Sequence, residues 1–181
     1  MKNYTCEELK KDIDRISVSI IRPLEVELRN YLDKCGLFYK VFMRIKKSNS
    51  IIEKLENRRQ NEVAGYKLQD LVGIRIVLYF KSDIALCEKL IQQHFSVDNK
   101  SKDDQDAEKF KAQRINYVCW LPEDVKNRFD TRVWEYPIDA TFEIQIRTIF
   151  SEGWHEIEHD FRYKCLDEWD DFEDQSRTLN G

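Results

Sequence analysis

Several signals are missing from this sequence, and each absence removes a class of protein. Its five cysteines, Cys6, Cys35, Cys87, Cys119 and Cys165, are odd in number, and none are spaced as Cys-x-x-Cys. These features argue against a disulfide framework or a zinc site, and buried thiols in a reducing cytoplasm are expected. No long apolar run occurs. The longest, Leu71 to Phe80, carries Arg75 and is far too short to span a bilayer, so no membrane partner is expected. The opening residues, Met1 to Glu8, lack the apolar stretch of a signal peptide, and a cytoplasmic location is expected. Excess positive charge is absent as well. The formal net charge is −4, which argues against a mainly electrostatic grip on nucleic acid. There is no internal repeat and no low-complexity segment.

What remains is an ordinary soluble composition. The 181 residues suit one domain with a real core, 41% of them are hydrophobic, and 35% are charged. Lys and Arg together number 30, so anionic ligands would meet local basic patches and not the average surface.

The order of elements is legible from periodicity and caps. Thr5 with Glu8 forms a capping box ahead of Leu9, Ile13, Ile16 and Ile20 at helical spacing. Pro23 marks a break or a new start, and Gly36 a stop, which gives two N-terminal helices or one kinked helix. Residues 38–45 read as a strand. Ser48 is placed to cap a helix through Ile51, Ile52 and Leu55 to about Arg59. Residues 71–80 read as a buried strand, and Asp83 as the cap of a helix carrying Leu86, Leu90 and Ile91. Residues 98–111 are polar and charged, and are expected to form an exposed, mobile loop. Strands are expected over 115–121 and 138–146, separated by a short helix or loop and a turn. A helix is expected from Ile149 to near Lys164, with Trp154, Ile157, His159 and Phe161 on it. This order predicts an α+β fold, a central mixed sheet flanked by helices. One domain over 1–181 is expected, with N-terminal helices (1–36), a core (37–164) and the opening of a C-terminal region (165–181). Arg177 to Gly181 carry no closing signal, which leaves open that the chain is a fragment.

Three clusters carry chemistry. In the first, Arg44 and Lys46 alternate at a strand end, Ser48 opens a helix, and Lys54 lies about one turn into it. Cations converging on the free N–H groups of a helix start make a polyphosphate site, and the alternative is a solvated basic face. In the second, Asp70 stands at the mouth of the buried strand, with Gly73 and Arg75 inside it. A carboxylate there is placed to hold Mg²⁺ together with substrate phosphates, and Gly73 permits close approach to the backbone. A buried Arg75 requires an anionic partner, and a structural Asp70–Arg75 pair is the alternative. In the third, Glu143, Gln145 and Arg147 alternate with Phe142, Ile144 and Ile146, so the polar three share one strand face. The alternative there is a solvent-facing strand. His155 and His159 follow on one helical face, where a structural hydrogen-bonding role is the simpler reading.

Taken together, RIKKSNSIIEK, DLVGIRIVLYFKSDI, FEIQIRT and GWHEIEHDFRYK, in that order over roughly residues 38–164, resemble the synthetase domain of the RelA/SpoT alarmone synthetase family. The resemblance implies a nucleotidyltransferase-like mixed sheet flanked by helices. It also implies an enzyme that moves the β,γ-pyrophosphate of ATP onto the 3′-hydroxyl of GDP or GTP. By the same resemblance, Arg44, Lys46 and Lys54 would bind ATP phosphates, with Ser48 at the same site and Arg75 against the ATP. Asp70 would hold Mg²⁺, and Glu143 would hold metal or activate the acceptor hydroxyl. Gln145 and Arg147 would line the site, Arg147 toward ATP and Gln145 toward the acceptor, with His159 supporting it. Family members are often oligomers. The family's hydrolase would need a separate His/Asp metal site upstream, and only His94, His155 and His159 are present.

The resemblance breaks at one place. The family carries a G-Y-x-S-L-H type motif, whose Tyr stacks on the acceptor guanine and whose His contacts acceptor phosphate. The equivalent stretch here is Lys111 to Val118, which puts Ala112 at the Tyr, Arg114 within the motif and Asn116 at the His. Stacking contributes about 1–3 kcal/mol per base. Tyr117 is no substitute, because one step along a strand points to the other face. Three readings stay open: a guanine alarmone synthetase with a rearranged acceptor pocket, a relative acting on an adenine nucleotide or the 3′ end of tRNA, and a non-catalytic nucleotide-binding module.

Overall fold

The computed structural model describes residues 4–60, 67–102 and 115–153. It begins with helix α1 (Cys6–Asp14), and the expected capping box is present: Glu8 N donates to Thr5 Oγ1 and Thr5 N to Glu8 Oε2. A 3-10 turn, Val18–Ile21, separates α1 from α2 (Arg22–Lys34), so the N-terminal region is two helices. Pro23 sits in the first turn of α2, where its missing N–H costs no hydrogen bond. Gly36 ends α2 at φ +67°, and Gly36 N and Leu37 N donate back to Asp33 O and Leu32 O. This is the Schellman arrangement, which only glycine enters without a steric penalty.

Five strands follow: β1 (Tyr39–Ile45), β2 (Val72–Leu78), β3 (Val97–Lys102), β4 (Ile115–Trp120) and β5 (Thr141–Thr148). The sheet order is β1-β2-β5-β4-β3. β2 and β5 are parallel, and the other neighbours are antiparallel. The fold is therefore α+β around a mixed sheet, as expected.

Several boundaries differ from the sequence expectation. The strand expected over 71–80 covers only Val72–Leu78, and Tyr79 and Phe80 beyond it are exposed. The polar stretch from 98 is in part a strand: β3 covers 97–102 as an exposed edge. Lysines and short polar residues give little strand signal, yet they are what keeps an edge from pairing with other chains. β5 starts three residues later than expected and runs two further, bringing Arg147 and Thr148 into the ladder. Helix α3 (Ser48–Gln60) starts at Ser48 itself, since Ile51 N donates to Lys47 O, so Lys47 occupies the cap position. Asp83 does precede α4 (Ile84–His94), but its side chain makes no cap bond and accepts from Ser82 Oγ instead.

The two sheet faces are unlike. Val72, Ile74, Ile76, Phe142, Ile144, Ile146, Ile115, Tyr117 and Cys119 form one buried face. Leu24, Leu28 and Leu32 of α2 and Cys87, Leu90 and Ile91 of α4 join it in a single core. Burial of apolar area at about 25 cal/mol per Å² makes this face the main source of stability. Register sends the alternate residues to the other face: Arg44 beside Gly73 beside Glu143, and Phe42 beside Arg75 beside Gln145 beside Asn116. That face bears the candidate chemistry.

The expectation of buried thiols holds for Cys87 and Cys119, whose pKa burial pushes up to about 12. It fails for Cys6 and Cys35, which are exposed. Both lie at helix ends, where periodicity does not decide the facing. Among the described residues no helix is long and apolar enough to cross a membrane.

Candidate functional site

The site is assembled around the start of β2. Lys46 follows β1, and its backbone N–H donates to Leu71 O at 2.8 Å, which holds the two strand ends together. Its ammonium donates to Asp70 Oδ2 at 2.7 Å. Lys54, one to two turns into α3, donates to the same oxygen at 2.9 Å. Thr141 Oγ1 donates to Gln69 O at 2.9 Å, which ties the segment carrying Asp70 to the start of β5.

Burial raises the Asp70 pKa, but the two ammonium groups outweigh it and hold the carboxyl below the usual aspartate range. Its other oxygen, Oδ1, is buried and has no hydrogen-bond partner. A buried acceptor without a donor costs about 1–3 kcal/mol, and such atoms concentrate where a ligand or ion completes the site.

Arg44 behaves differently from the two lysines. It is exposed, and its side chain lies across Gly73, where a Cβ would come 3.3 Å from Arg44 Nε and 3.4 Å from Cγ. The close approach expected at Gly73 is thus made by Arg44. Ser48 is buried at the start of α3.

A second group continues from Gly73 along β2 and β5. Gln145 Nε2 donates to Glu143 Oε2 at 2.9 Å, and Arg75 Nε donates to Gln145 Oε1 at 3.2 Å. Arg75 Nη1 donates to Glu152 Oε1. The structural Asp70–Arg75 pair weighed from the sequence is not formed, because Asp70 is taken by lysines and Arg75 by Glu152. The expected face-sharing of Glu143, Gln145 and Arg147 holds in the strand register. Arg147, however, is only 7% exposed, and it donates to Ile146 O at 3.1 Å and to Asn116 Oδ1 at 3.5 Å.

The structure therefore brings together Lys46, Lys54 and Asp70 as one group, and Glu143, Gln145 and Arg75 as another. Asn116 and Arg147 form a third, and Arg44 covers Gly73 beside Glu143. Arg114, Ala112, His155 and His159 lie outside the described residues, as does the expected helix beyond residue 153. Tyr117 turns inward, as its strand parity requires. It is fully buried, donates to Glu88 Oε1 at 2.9 Å and accepts from Gln92 Nε2 at 3.1 Å.

One site residue was missed by sequence reasoning. The buried-charge argument required an anion for Arg75 but could not say which. Glu152 is that anion, and it belongs to a helical turn over 149–153. A local signal was available: Thr148 and Ser151 stand at cap spacing. Ser151 Oγ accepts from Thr148 N at 2.8 Å and Thr148 Oγ1 from Ser151 N at 3.2 Å.

Among the described residues no group of three or more His, Cys, Asp or Glu lies together as a complete protein-only metal cage. The arrangement is instead a cationic rim, a carboxylate with one bare oxygen, and a second carboxylate held by an amide on the neighbouring strand.

Known proteins share this frame. The solved small alarmone synthetase 1 from Bacillus subtilis superposes with a TM-score of 0.60 at 23% identity, over 87% of this chain and 78% of that one. The structure of smu.1046c from Streptococcus mutans UA159 gives 0.59 at 25% identity, over 96% and 85%. In sequence, the GTP pyrophosphokinase YwaC of Bacillus subtilis (strain 168) is 32% identical over 127 residues, 67% of this chain. The match spans 56% of that relative's own length. Residues 43–168 match the region found in RelA / SpoT proteins, which is more than half of the chain, and the chain belongs to that family.

Proposed function

We propose that this chain transfers the β,γ-pyrophosphate of ATP to the 3′-hydroxyl of a guanine nucleotide, GDP or GTP, as a single-step displacement. The observation that carries the proposal is Asp70, gripped by Lys46 and Lys54 through one oxygen and bare at the other, one strand from Glu143. Pyrophosphoryl transfer needs positioning and charge neutralisation more than covalent participation by the protein. Arg44, Lys46 and Lys54 bind the phosphates of ATP. The acceptor hydroxyl oxygen attacks the β-phosphorus, the bond to the oxygen bridging to the α-phosphate breaks, and AMP leaves. The hydroxyl proton passes to the Glu143 carboxylate, which Gln145 holds by its amide. Mg²⁺, when bound, would neutralise the phosphate charge. Asp70, through the unpartnered Oδ1, would hold it, with phosphate oxygens and water as the other ligands.

The acceptor side supports a second reading, transfer to an adenine nucleotide or to the 3′ end of tRNA. Tyr117 is committed to the core and Asn116 to Arg147, so neither offers the stacking ring or the imidazole of the family motif.

The test is γ-labelled ATP with Mg²⁺ and a panel of GDP, GTP, ADP, ATP, adenylates and bulk tRNA. Label in GDP or GTP is the expected result. Label in tRNA or an adenine nucleotide alone selects the second reading, and label in no acceptor overturns both. Glu143→Gln is expected to bind ATP as the parent does and to lose transfer by about a hundredfold or more. Unchanged transfer in that variant removes Glu143 from the chemistry.

A further inference from the structure

We infer that Glu152 is a positioning residue, which aims Arg75 and, through Arg75 and Gln145, holds Glu143 in place. The inference rests on the reading of Glu143 as the residue that receives the acceptor proton.

The geometry is a continuous chain of side chains, Glu143–Gln145–Arg75–Glu152, crossing from β5 to β2 and back to the turn after β5. Each link constrains the next. An amide such as Gln145 is two-faced, and an undirected amide flips freely between its oxygen and nitrogen ends. Here Arg75 Nε occupies the Oε1 end, so Nε2 is turned toward Glu143. Arg75 is in turn fixed by Glu152 at Nη1. Two of the three nitrogens of the guanidinium, Nε and Nη1, are thereby used.

The anchor is tied to the end of β5. Thr148 ends β5 and caps the turn that follows, with Ser151 bonding back to it three times at 2.8, 3.0 and 3.2 Å. Ser151 is 5% exposed. Glu152 follows it directly. Its side chain is largely buried beside Arg75, and its second oxygen, Oε2, is buried with no hydrogen-bond partner. Here Nη1 meets Glu152 while Nε stays on Gln145.

The experiment combines kinetics with structure. Glu152→Ala, Glu152→Gln, Glu152→Asp, Gln145→Ala and the Glu152→Ala/Gln145→Ala double variant are compared with the parent, using the acceptor that the labelled-ATP panel identifies. Glu152→Ala is expected to lower kcat at least tenfold while KM for ATP moves less than threefold, because Arg44, Lys46 and Lys54 still hold the phosphates. Glu152→Asp should recover part of that loss. The double variant should be no slower than the worse single variant, since both residues act through one chain. Multiplicative losses overturn the inference, and so does full activity in Glu152→Ala. Should the alanine variant fail to fold, the isosteric Glu152→Gln carries the same comparison. Crystal structures of parent and Glu152→Ala give a readout independent of turnover: the variant, which removes the acceptor of Arg75 Nη1, is expected to break the hydrogen bond from Arg75 Nε to Gln145 Oε1. If that bond persists in the variant, the inference is overturned even if the parent proves inactive. If the bond is broken in the variant and the parent is inactive, only the proposed function is overturned.

Discussion

The Lys46–Asp70–Lys54 group makes a prediction that can be worked through from the structure. Asp70→Asn leaves the shape of the side chain but removes its charge. Hydrogen bonds to charged groups contribute about 1.5–3 kcal/mol net, and fully exposed ion pairs about 0.2–1 kcal/mol. The side chains here are 19%, 23% and 36% exposed, between those limits, so about 1 kcal/mol per bond is reasonable. Both bonds go to one oxygen, and in the variant two ammonium groups crowd a neutral amide. The expected loss is about 2 kcal/mol, or roughly 4–8 °C in Tm for a chain of this size. The effect has a defined pH dependence. The folded pKa of Asp70 is lowered, so its contribution is fully present above the unfolded value of about 3.9 and fades as pH falls through the lower folded value. Thermal melts of parent and variant, followed by circular dichroism from neutral pH downward, should differ most at neutral pH and converge below about pH 4. A variant that melts with the parent at neutral pH refutes the argument, as does a gap that stays constant into strong acid.

Two further substitutions separate the two sheet faces. Gly73→Ala places a methyl 3.3–3.4 Å from the exposed Arg44 side chain, which can swing aside. Stability should change by less than about 1 kcal/mol, because Arg44 is exposed, while ATP binding, measured by calorimetry, should weaken several-fold as Arg44 is displaced. Tyr117→Phe removes a hydroxyl bonded to Glu88 and Gln92 on the buried face. Urea unfolding should show a loss of about 1 kcal/mol, and KM for the nucleotide acceptor should stay unchanged. A large rise in that KM would mean that Tyr117 reaches the acceptor.

Much of this protein is legible along the chain because the deciding interactions are local. The capping box of Thr5 and Glu8, the left-handed stop at Gly36 and the strand parity of Glu143, Gln145 and Arg147 all depend on residues within a few positions of each other. The inward turn of Tyr117 follows from the same parity. Local signals fail where a segment has little propensity of its own. β3 is a strand because β4 offers it a ladder, with Lys100 bonding Glu88 at 2.7 Å and lying over the Tyr117 ring.

The site depends on pairings that no local signal carries. Sequence alone determined which residues are polar and which strand face they share, because side-chain alternation is a property of any extended backbone. It also determined that Arg75 needs an anion. Only the tertiary structure decided that Asp70 answers two lysines and Glu152 answers Arg75. The reason is strand register: the antiparallel pairing of β1 with β2 brings Lys46 to Asp70, and the parallel pairing of β2 with β5 sets Gly73 beside Glu143 and Arg75 beside Gln145 across 70 positions of chain. That register comes from packing the buried face, where Val72, Ile74 and Ile76 meet Phe142, Ile144 and Ile146, and the polar face follows from it.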